Sequence, residues 1–371
     1  MNIAYLIFVM TVWFLSTYFM VVLFLVLLTR KNELYSSPKL ESKNALPKVS
    51  IIVPAYNEGK KIFDSLSSLK KIDYPKKLLE IIIVNDGSKD NTSSVVRKNL
   101  SREIKMLPFF NDSKVGAVTV SVEVKNPKNF LEKIIEIEYV IGLSLSLKAL
   151  SFFNAVHVTP GPFSMYLASA LKKIGLFDEK SITEDLEIAY RLQKGHYKIE
   201  NCTTTRVRTV IPNTLKSLYI QRKRWYSGSL MTIFQHRDVI FDSKIGAFAF
   251  VTPYNYVLIS LGLSLFFYSA YLLLKNIAKT ISFFSLTNFN FFSHLNLKYF
   301  DILSINSLTF FGLTSFLITV IGAIICLRLA KKDLRKKAVG MAGYIFLFFL
   351  YQVFWASSFY SVLFGRKVKW R

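Results

Sequence analysis

The sequence contains few cysteines, few histidines and relatively few acidic residues. Its 371 residues include four histidines and two cysteines, Cys202 and Cys326. Two cysteines provide neither a disulfide framework nor a zinc site, which favours a reducing compartment such as the cytoplasm. Acidic residues number 24 against 48 basic ones, giving a formal net charge of +24. This imbalance indicates an anionic partner: phosphates, acidic lipid or nucleic acid.

Long apolar segments make nucleic acid the least favoured of these partners. Residues 3–28 carry no charge and are followed by Arg30 and Lys31. This segment is too long for a signal-peptide core and has no small-residue cleavage site, so it predicts a transmembrane helix followed by a cytoplasmic domain. Further apolar segments at about 246–274, 308–329 and 339–364 are each long enough to cross a bilayer. The sequence between them contains no recognisable nucleic-acid-binding motif.

The sequence therefore predicts an integral protein of the cell membrane with a cytoplasmic domain. The expected boundaries are a transmembrane helix at 1–29, a linker at 30–47, a cytoplasmic domain at 48–240 and a membrane domain of about three segments at 241–371. This number of crossings places the basic tail at 366–371 outside, against the charge rule. The last segment is then either re-entrant or an exception to the rule.

Two buried strands near the N-terminal end of the cytoplasmic domain each end in a polar loop. V-S-I-I-V at 49–53 leads into P-A-Y-N-E-G, and E-I-I-I-V at 80–84 leads into N-D-G-S. With a helical stretch at 60–69 between them, they predict a parallel βαβ unit. Ligands bind beyond the carboxyl ends of such strands, where Tyr56 can stack on a base and Asp86 can accept from its ring N–H. Either loop alone is more often an ordinary turn, but the pair is more specific.

The acidic run Thr183-Glu184-Asp185 precedes a predicted helix, because apolar residues recur after it at helical spacing. Backbone N–H groups and the macrodipole at a helix N-terminus are expected to hold the Asp185 carboxylate ionised. A base that accepts a proton from an incoming hydroxyl needs such a position. A plain helix cap with acidic first-turn residues also explains the run, and the run taken alone favours that interpretation.

A basic run, Q-R-K-R-W, lies at 221–225, about forty residues after the acidic one. Arg222, Lys223 and Arg224 beside an indole are suited to meeting a diphosphate and stacking on a ring. A basic helix facing lipid headgroups ahead of a membrane span explains the run about equally well.

Other stretches predict further elements of the same domain. Residues 130–150 have helical apolar spacing and are too charged to span a membrane, so they predict a helix buried under a sheet or lying at the membrane surface. Short strands are expected at 115–120, 155–160, 197–200 and 207–211. A Pro-Gly turn at 160–162 follows the second of these.

T-E-D followed by Q-x-x-R-W resembles the membrane-bound, processive family 2 glycosyltransferases: cellulose, chitin, hyaluronan and poly-N-acetylglucosamine synthases. The resemblance covers about residues 48–230. It implies an α/β fold, with a nucleotide-diphospho-sugar transferase domain of the GT-A, Rossmann-like type, a mostly parallel sheet and flanking transmembrane helices. It also implies inverting hexosyl transfer from a nucleotide-sugar donor, typically a UDP-sugar, with Asp185 as base beside Glu184. The other implied site residues are Pro54, Tyr56, Glu58 and Asp86 for the donor, and Gly161, Pro162, Gln221, Arg224 and Trp225 for the acceptor and diphosphate.

One expected part of that family pattern is missing. Family members carry an Asp-x-Asp at the end of a further strand, which holds Mg²⁺ or Mn²⁺ on the sugar diphosphate, but none lies between residues 86 and 185 here. The 99-residue separation of Asp86 and Asp185 is also short by roughly one βαβ unit, on the order of 30 residues. We therefore expect an internal deletion near residues 99–100, with no metal ligands identified. Replacement of the ligands by Asp112 or Glu123 is the less favoured alternative.

Three functions remain open from the sequence. The first is an active polysaccharide synthase, whose partners are a nucleotide-sugar donor, a glycan or lipid-linked acceptor and membrane lipid. The second is transfer to a dolichyl or polyprenyl phosphate, against which Q-x-x-R-W argues. The third is a non-catalytic protein with a decayed transferase domain, which the missing Asp-x-Asp favours. Loss of an interior strand predicts a poor catalyst or a less stable fold, because its neighbours must pair anew or leave backbone groups unpaired.

Overall fold

The computed structural model describes residues 3–38, 46–55, 58, 61–69, 72, 74–85, 90, 107–286 and 307–365. The chain divides into two compact units. The smaller unit is Ser37–Ser113, and the larger one combines Met1–Ser36 with Lys114–Arg371.

The smaller unit contains the βαβ arrangement that the apolar pattern predicts. Strand β1 (Val49–Ala55) pairs in parallel with β2 (Leu79–Asn85), and helix α2 (Lys61–Leu69) lies between them in sequence. One face of the strand pair forms a small core in which Ala55 and Ile83 pack with Ile62 of α2.

The other face of this strand pair carries exposed apolar side chains. Ile52 is 64% exposed, Ile82 is 39% exposed and Val84 is 47% exposed. Ile52 lies directly opposite Ile82 in the register, so their side chains share this face. Parallel sheets are normally covered on both faces, and this pair is covered on one.

The sheet of the larger unit is buried more completely. Strand β3 (Val115–Val124) pairs antiparallel with β4 (Ser164–Tyr166) and parallel with β5 (Lys198–Thr209). All residues of β3 are buried except Glu123, which is partly exposed. The core of the larger unit therefore includes both faces of this strand.

Two strand predictions are wrong in detail. The predicted strands at 197–200 and 207–211 form one strand, β5, because a bulge absorbs the residues between Cys202, which pairs with Val120, and Arg206, which pairs with Ser121. Residues 155–160 form no strand. Their hydrogen bonds go elsewhere, since the N–H and Oγ1 of Thr159 both donate to the carbonyl oxygen of Asp185.

The segment predicted at 130–150 is helical, as expected. Helix α3 (Phe130–Glu138) begins at a capping box, in which Asn129 accepts from the N–H of Glu132 and the Glu132 side chain accepts from Asn129 in return. It continues through a π-helical segment (Tyr139–Ser146) into α4 (Leu147–Ser151). The α-helices α5 (Ala168–Ile174), α6 (Glu184–Lys194) and α7 (Leu215–Gln235) follow in the described residues.

In the part of the chain that the structure describes, four helices are long and apolar enough to cross a membrane. They are α1 (Ile3–Thr29), α8 (Phe248–Leu286), α9 (Ser307–Leu329) and α10 (Leu334–Leu363). These helices contact one another within the larger unit: the indole of Trp13 donates to Thr314 at 3.0 Å, and Tyr254 donates to the Leu15 carbonyl at 2.7 Å.

Helix α10 packs closely on α3 at a glycine and is joined to it by an ion pair. A Cβ added at Gly340 would lie 2.5 Å from the carbonyl oxygen of Lys133, so only glycine permits this approach of the two helices. Lys337 donates to Glu136 at 2.6 Å. The last apolar helix is thereby joined to the sheet domain.

Candidate active site

The loop at 159–161 and the start of α6 are held together by three hydrogen bonds. The N–H of Gly161 donates to Asp185 Oδ2 at 3.2 Å. The N–H and Oγ1 of Thr159 donate to the Asp185 carbonyl oxygen at 2.9 and 2.7 Å. The Pro-Gly turn and the T-E-D run therefore lie together, with Pro162 exposed beside Gly161.

Helix α7 brings the basic run to the same turn. Arg224 Nη1 donates to the carbonyl oxygen of Ile182 at 3.0 Å. One helical turn further along, Gly228 packs against the side chain of Thr183. The two runs that the sequence singled out are therefore adjacent in space.

T-E-D differs from a simple helix cap. Thr183 stands at the N-cap position of α6, yet its side chain makes no capping hydrogen bond. Its Oγ1 is buried without a hydrogen-bond partner, and Gly228 of α7 packs directly against it. The turn is thus shaped by contact with α7 rather than by its own cap.

The pKa of Asp185 shifts in the opposite direction from the one expected. Burial raises the pKa of this carboxyl to about 6, and the neighbouring Glu184 carboxylate also raises it. The N–H of Gly161 and the guanidinium of Arg224 lower it, but not enough to cancel the effect of burial. The side chain is therefore ionised at neutral pH with a pKa close to ambient, which suits a general base better than a strongly stabilised carboxylate does.

Thr159 and Tyr166 belong to this site although the sequence did not single them out. Tyr166 on β4 donates from its hydroxyl to Thr159 Oγ1 at 2.9 Å. Burial raises the pKa of this phenol, and the Asp185 carboxylate raises it further. The nearby signal in the sequence was the Pro-Gly turn, which marks the loop but not these hydroxyls.

Arg222 does not serve as the diphosphate-binding cation that the basic run suggested. Its side chain is fully buried, and Nη2 donates to Glu138 Oε2 on α3 at 2.7 Å. Nε donates to the Tyr351 hydroxyl on α10 at 3.3 Å, and the guanidinium lies 4.2 Å from the centre of the Trp225 ring. Burial lowers the pKa of Arg222, but the Glu138 carboxylate together with the neighbouring tyrosines, Tyr351 first among them, outweighs burial and leaves that pKa above its usual value. Arg222 therefore ties α7 to α3 and α10.

Gln221 and Trp225 also make structural contacts. Gln221 Oε1 accepts from Arg222 Nη1 at 2.8 Å. Trp225 is partly buried and packs on a core cluster that includes Leu218 and Leu347. Arg224 is thus the member of Q-x-x-R-W that lies against the T-E-D turn.

The described residues do not supply a divalent-metal site. In the ranges covered by the structure, no group of three or more His, Cys, Asp or Glu side chains converges. Glu123, one proposed replacement ligand, is paired instead with Lys332 at 2.8 Å and with Arg206 at 3.2 Å.

Part of the expected donor site lies in the smaller unit. Pro54 is exposed near the end of β1, opposite Val84, and Glu58 is partly buried. Tyr56, Asp86 and the expected junction at 99–100 lie outside the described residues.

Two family models match the chain. "Glycosyl transferase family group 2" matches residues 94–359, which is more than two thirds of the chain, and "Glycosyl transferase family 2" matches residues 50–107. The two matches overlap at 94–107, around the expected junction.

Similar proteins include poly-β-1,6-N-acetyl-D-glucosamine synthases of staphylococci. The Staphylococcus epidermidis protein is 30% identical over 224 positions, covering 48% of this chain and 54% of that protein. The Staphylococcus aureus protein is 28% identical over 261 positions, covering 58% of this chain and 63% of that protein. The chain thus spans between half and two thirds of the length of these relatives.

The same alignments contain many gap positions on this chain's side. An alignment of 224 positions that covers 48% of 371 residues uses about 178 of them, so about 46 positions of the relative have no partner here. The alignment of 261 positions, covering 58%, also leaves about 46 unpartnered.

A solved structure shares the fold. A mannosyltransferase from Pyrobaculum calidifontis, in complex with GDP-Man and Mn²⁺, superposes with a TM-score of 0.53 over 97% of this chain and 100% of that one. The two are 15% identical in sequence, so the likeness is one of fold. The α/β transferase fold expected from the sequence is confirmed.

Proposed function

Because the chain belongs to family 2 of the glycosyltransferases, we propose that it transfers a hexose from a UDP-sugar to a hydroxyl of a membrane-associated glycan. The observation that carries the proposal is the contact between the two motifs: Arg224 of Q-x-x-R-W donates to the carbonyl oxygen of Ile182, directly before T-E-D, and its charge lowers the pKa of Asp185. The relatives named as poly-β-1,6-N-acetyl-D-glucosamine synthases make UDP-N-acetylglucosamine the first donor to test.

In the proposed reaction, Asp185 is the general base. Its carboxylate takes the proton of the acceptor hydroxyl, and the resulting oxygen attacks the anomeric carbon from the face opposite the diphosphate. The bond from that carbon to the diphosphate oxygen breaks with inversion, and UDP leaves. A pKa of about 6 supports this role, because the carboxyl is ionised at neutral pH and can still hold a proton in the transition state.

Arg224 is proposed to stabilise the charge on the departing UDP. A guanidinium presents paired N–H donors that match phosphate oxygens, and a charge placed in advance requires no reorganisation during the reaction. Glu184 lies beside the base, and Gln221 and Trp225 contact Arg222, the buried residue two positions before Arg224 on the same helix. Gly161 and Pro162 border the space in front of Asp185, where the acceptor is proposed to lie.

The donor side is proposed to be shorter than in the relatives, with a deletion near residues 99–100. The 46 unpartnered alignment positions support this, and so does the exposed apolar face formed by Ile52, Ile82 and Val84. A missing βαβ unit accounts for both, because its helix and strand would cover that face. Its loss would also explain the absent Asp-x-Asp, so slow transfer is expected.

The transferase domain is proposed to be cytoplasmic. Arg30 and Lys31 follow α1, and a basic stretch at 330–338 follows α9, which places both helix ends inside by the positive-inside rule. Membrane lipid and a membrane-associated acceptor would then both meet the domain at its α10 side.

A second candidate is a non-catalytic protein with a decayed transferase domain. The exposed face of the β1–β2 pair favours it, since an incomplete donor side can leave the fold without its activity.

One experiment separates these candidates. Release of UDP from a panel of UDP-sugars, headed by UDP-N-acetylglucosamine, is measured on detergent-purified protein with Mg²⁺, with Mn²⁺ and with a chelator. We expect slow release that falls at least about a hundredfold in Asp185→Asn, because the base is lost. The control is Asp238→Asn, which changes an exposed aspartate paired with Lys194 and should leave the rate unchanged. Equal release by wild type and Asp185→Asn, with both folded, would support the non-catalytic candidate.

A further inference from the structure

Gly228 on α7 faces the T-E-D turn more closely than any other residue type would allow. A Cβ added at Gly228 would overlap both outer atoms of the Thr183 side chain and would lie 2.9 Å from its Cβ. Thr183 is 3% exposed and Gly228 is buried, so neither can turn into solvent to relieve the overlap. Because glycine has no side chain, α7 can come this close to the turn at position 228.

The same helix face carries Arg224, one turn earlier. Residues four apart on a helix lie on the same side, so Arg224 and Gly228 meet the turn together. Arg224 donates to the carbonyl oxygen of Ile182, the residue directly before Thr183. Moving the helix outward at position 228 would therefore also move the guanidinium away from Asp185.

The opposite face of α7 is anchored. Arg222 is fully buried and bonded to Glu138 of α3 and Tyr351 of α10. Separating a buried ion pair is costly, so α7 has little freedom to shift without disturbing this anchor. The distance between α7 and the T-E-D turn is fixed from both sides.

We propose that Gly228 is a positioning residue for the transfer reaction: by allowing α7 to touch Thr183, it sets the separation between the Asp185 carboxylate and the Arg224 guanidinium. This rests on the proposed function, since it assigns Gly228 a part in the reaction of the same site. Gly228 does not itself touch the reacting atoms.

The proposal has a consequence for pH dependence. Among the described residues, the charged groups that act on Asp185 are Glu184 on its own helix and Arg224 on α7, and the Asp185 carboxylate in turn raises the pKa of Tyr166 on β4. Of these, only Arg224 lowers the Asp185 pKa. An outward shift of α7 weakens that effect, so the pH below which activity is lost should rise.

The test uses Gly228→Ala, Thr183→Ala and the double variant, with Gly262→Ala as the control. Gly262 is also a helical glycine, but a Cβ there would meet nothing within 4 Å. For Gly228→Ala we expect kcat to fall at least about tenfold with the donor KM within about threefold, because misplacement of about 1 Å costs up to about a hundredfold. The acidic limb of the pH–rate profile should move to higher pH. Shortening Thr183 should restore both in the double variant, and Gly262→Ala should match wild type.

Two results would overturn the proposal. One is a Gly228→Ala enzyme with the kcat and pH profile of wild type. The other is a loss of activity that Thr183→Ala does not relieve, because the overlap would then not be its cause.

The melting temperatures of wild type, Gly228→Ala, Thr183→Ala and the double variant test the contact between Gly228 and Thr183 independently of activity. A lower melting temperature in Gly228→Ala that recovers in the double variant establishes the contact even if wild type releases no UDP. In that case the proposed function fails and the catalytic part of this proposal fails with it. Strictly additive melting shifts would contradict the contact itself.

Discussion

The molecule contains two pairs of parallel strands, and they differ in how they are covered. In β3–β5, strand β3 is buried on both faces, and Ala117, Val118, Val120 and Val122 have no exposed surface. In β1–β2, one face packs on α2, whereas Ile52 is 64% exposed on the other. Parallel pairs normally need cover on both sides, and β3 of the first pair has it whereas the second pair does not.

The two motifs and the expected donor loops lie in different units. T-E-D and Q-x-x-R-W lie at the start of α6 and on α7, in the unit whose central strand β3 is buried on both faces. The expected uridine-binding loops follow β1 and β2, in the unit with the exposed face. A deletion near 99–100 would thus leave the acceptor and base side intact and reduce the donor side.

The largest effect is expected from loss of the buried ion pair between Arg222 of α7 and Glu138 of α3. Arg222→Met removes the cation of a buried ion pair and leaves the Glu138 carboxylate with the Tyr351 hydroxyl as donor but without its positive charge, which costs about 3–5 kcal/mol. The expected result is a protein that fails to accumulate in folded form, seen by fluorescence-detected size-exclusion chromatography. Lys216→Met, an exposed change on the same helix, is the control and should behave as wild type. Normal yield and melting temperature for Arg222→Met would show that this anchor does not hold α7.

A smaller effect is expected when the same substitution, Val→Ala, is made in each of the two strand pairs. Val120→Ala, in the fully buried strand, should lower the free energy of unfolding by about 2–3 kcal/mol through lost burial and a cavity. Val84→Ala, at a position 47% exposed, should cost less than about 1 kcal/mol. Denaturant titration in detergent measures both. Equal costs would mean that the outer face of β1–β2 is covered after all.

The smallest effect concerns the Asp185 carboxylate, whose burial makes the stability of the fold depend on pH. Burial raises the Asp185 pKa from 3.8 to about 6, so the folded chain holds this proton more tightly than the unfolded chain does. The stabilisation is fully present below about pH 4 and is lost as pH rises through about 6. Asp185→Asn should therefore raise the melting temperature at pH 7.5 by a few degrees and have little effect at pH 4. A lower melting temperature at pH 7.5 would instead indicate that the ionised carboxylate stabilises the fold.

Much of the fold was predictable because its signals are local. The length of the apolar segment at 3–28 predicted the first helix, and apolar patterns predicted the helix at 130–150 and the first βαβ unit. The strand predictions failed at the bulge in β5 and at 155–160, where hydrogen bonds run to α6 instead of to a neighbouring strand. Such partners are set by tertiary packing rather than by sequence pattern.

The site was harder to predict, because neighbouring cations in one run have different roles. Arg222 lies four residues after Leu218 and three before Trp225, a helical spacing that places it on the buried face, so a signal for its structural role was present. Gly228 gave no such signal, since its importance depends on which residue faces it. The Asp185 pKa depends in the same way on burial and on Arg224, which no linear pattern specifies.

The most direct test of the account restores the part proposed to be missing. The stretch of the Staphylococcus aureus relative that has no partner in this chain is inserted at residues 99–100, and UDP release from UDP-N-acetylglucosamine is compared with the unmodified protein. If the acceptor side is complete, the chimera should release UDP at least about tenfold faster, should require Mg²⁺ or Mn²⁺, and should lose that activity with Asp185→Asn. A folded chimera no more active than the unmodified chain would contradict the claim that the T-E-D and Q-x-x-R-W half is intact.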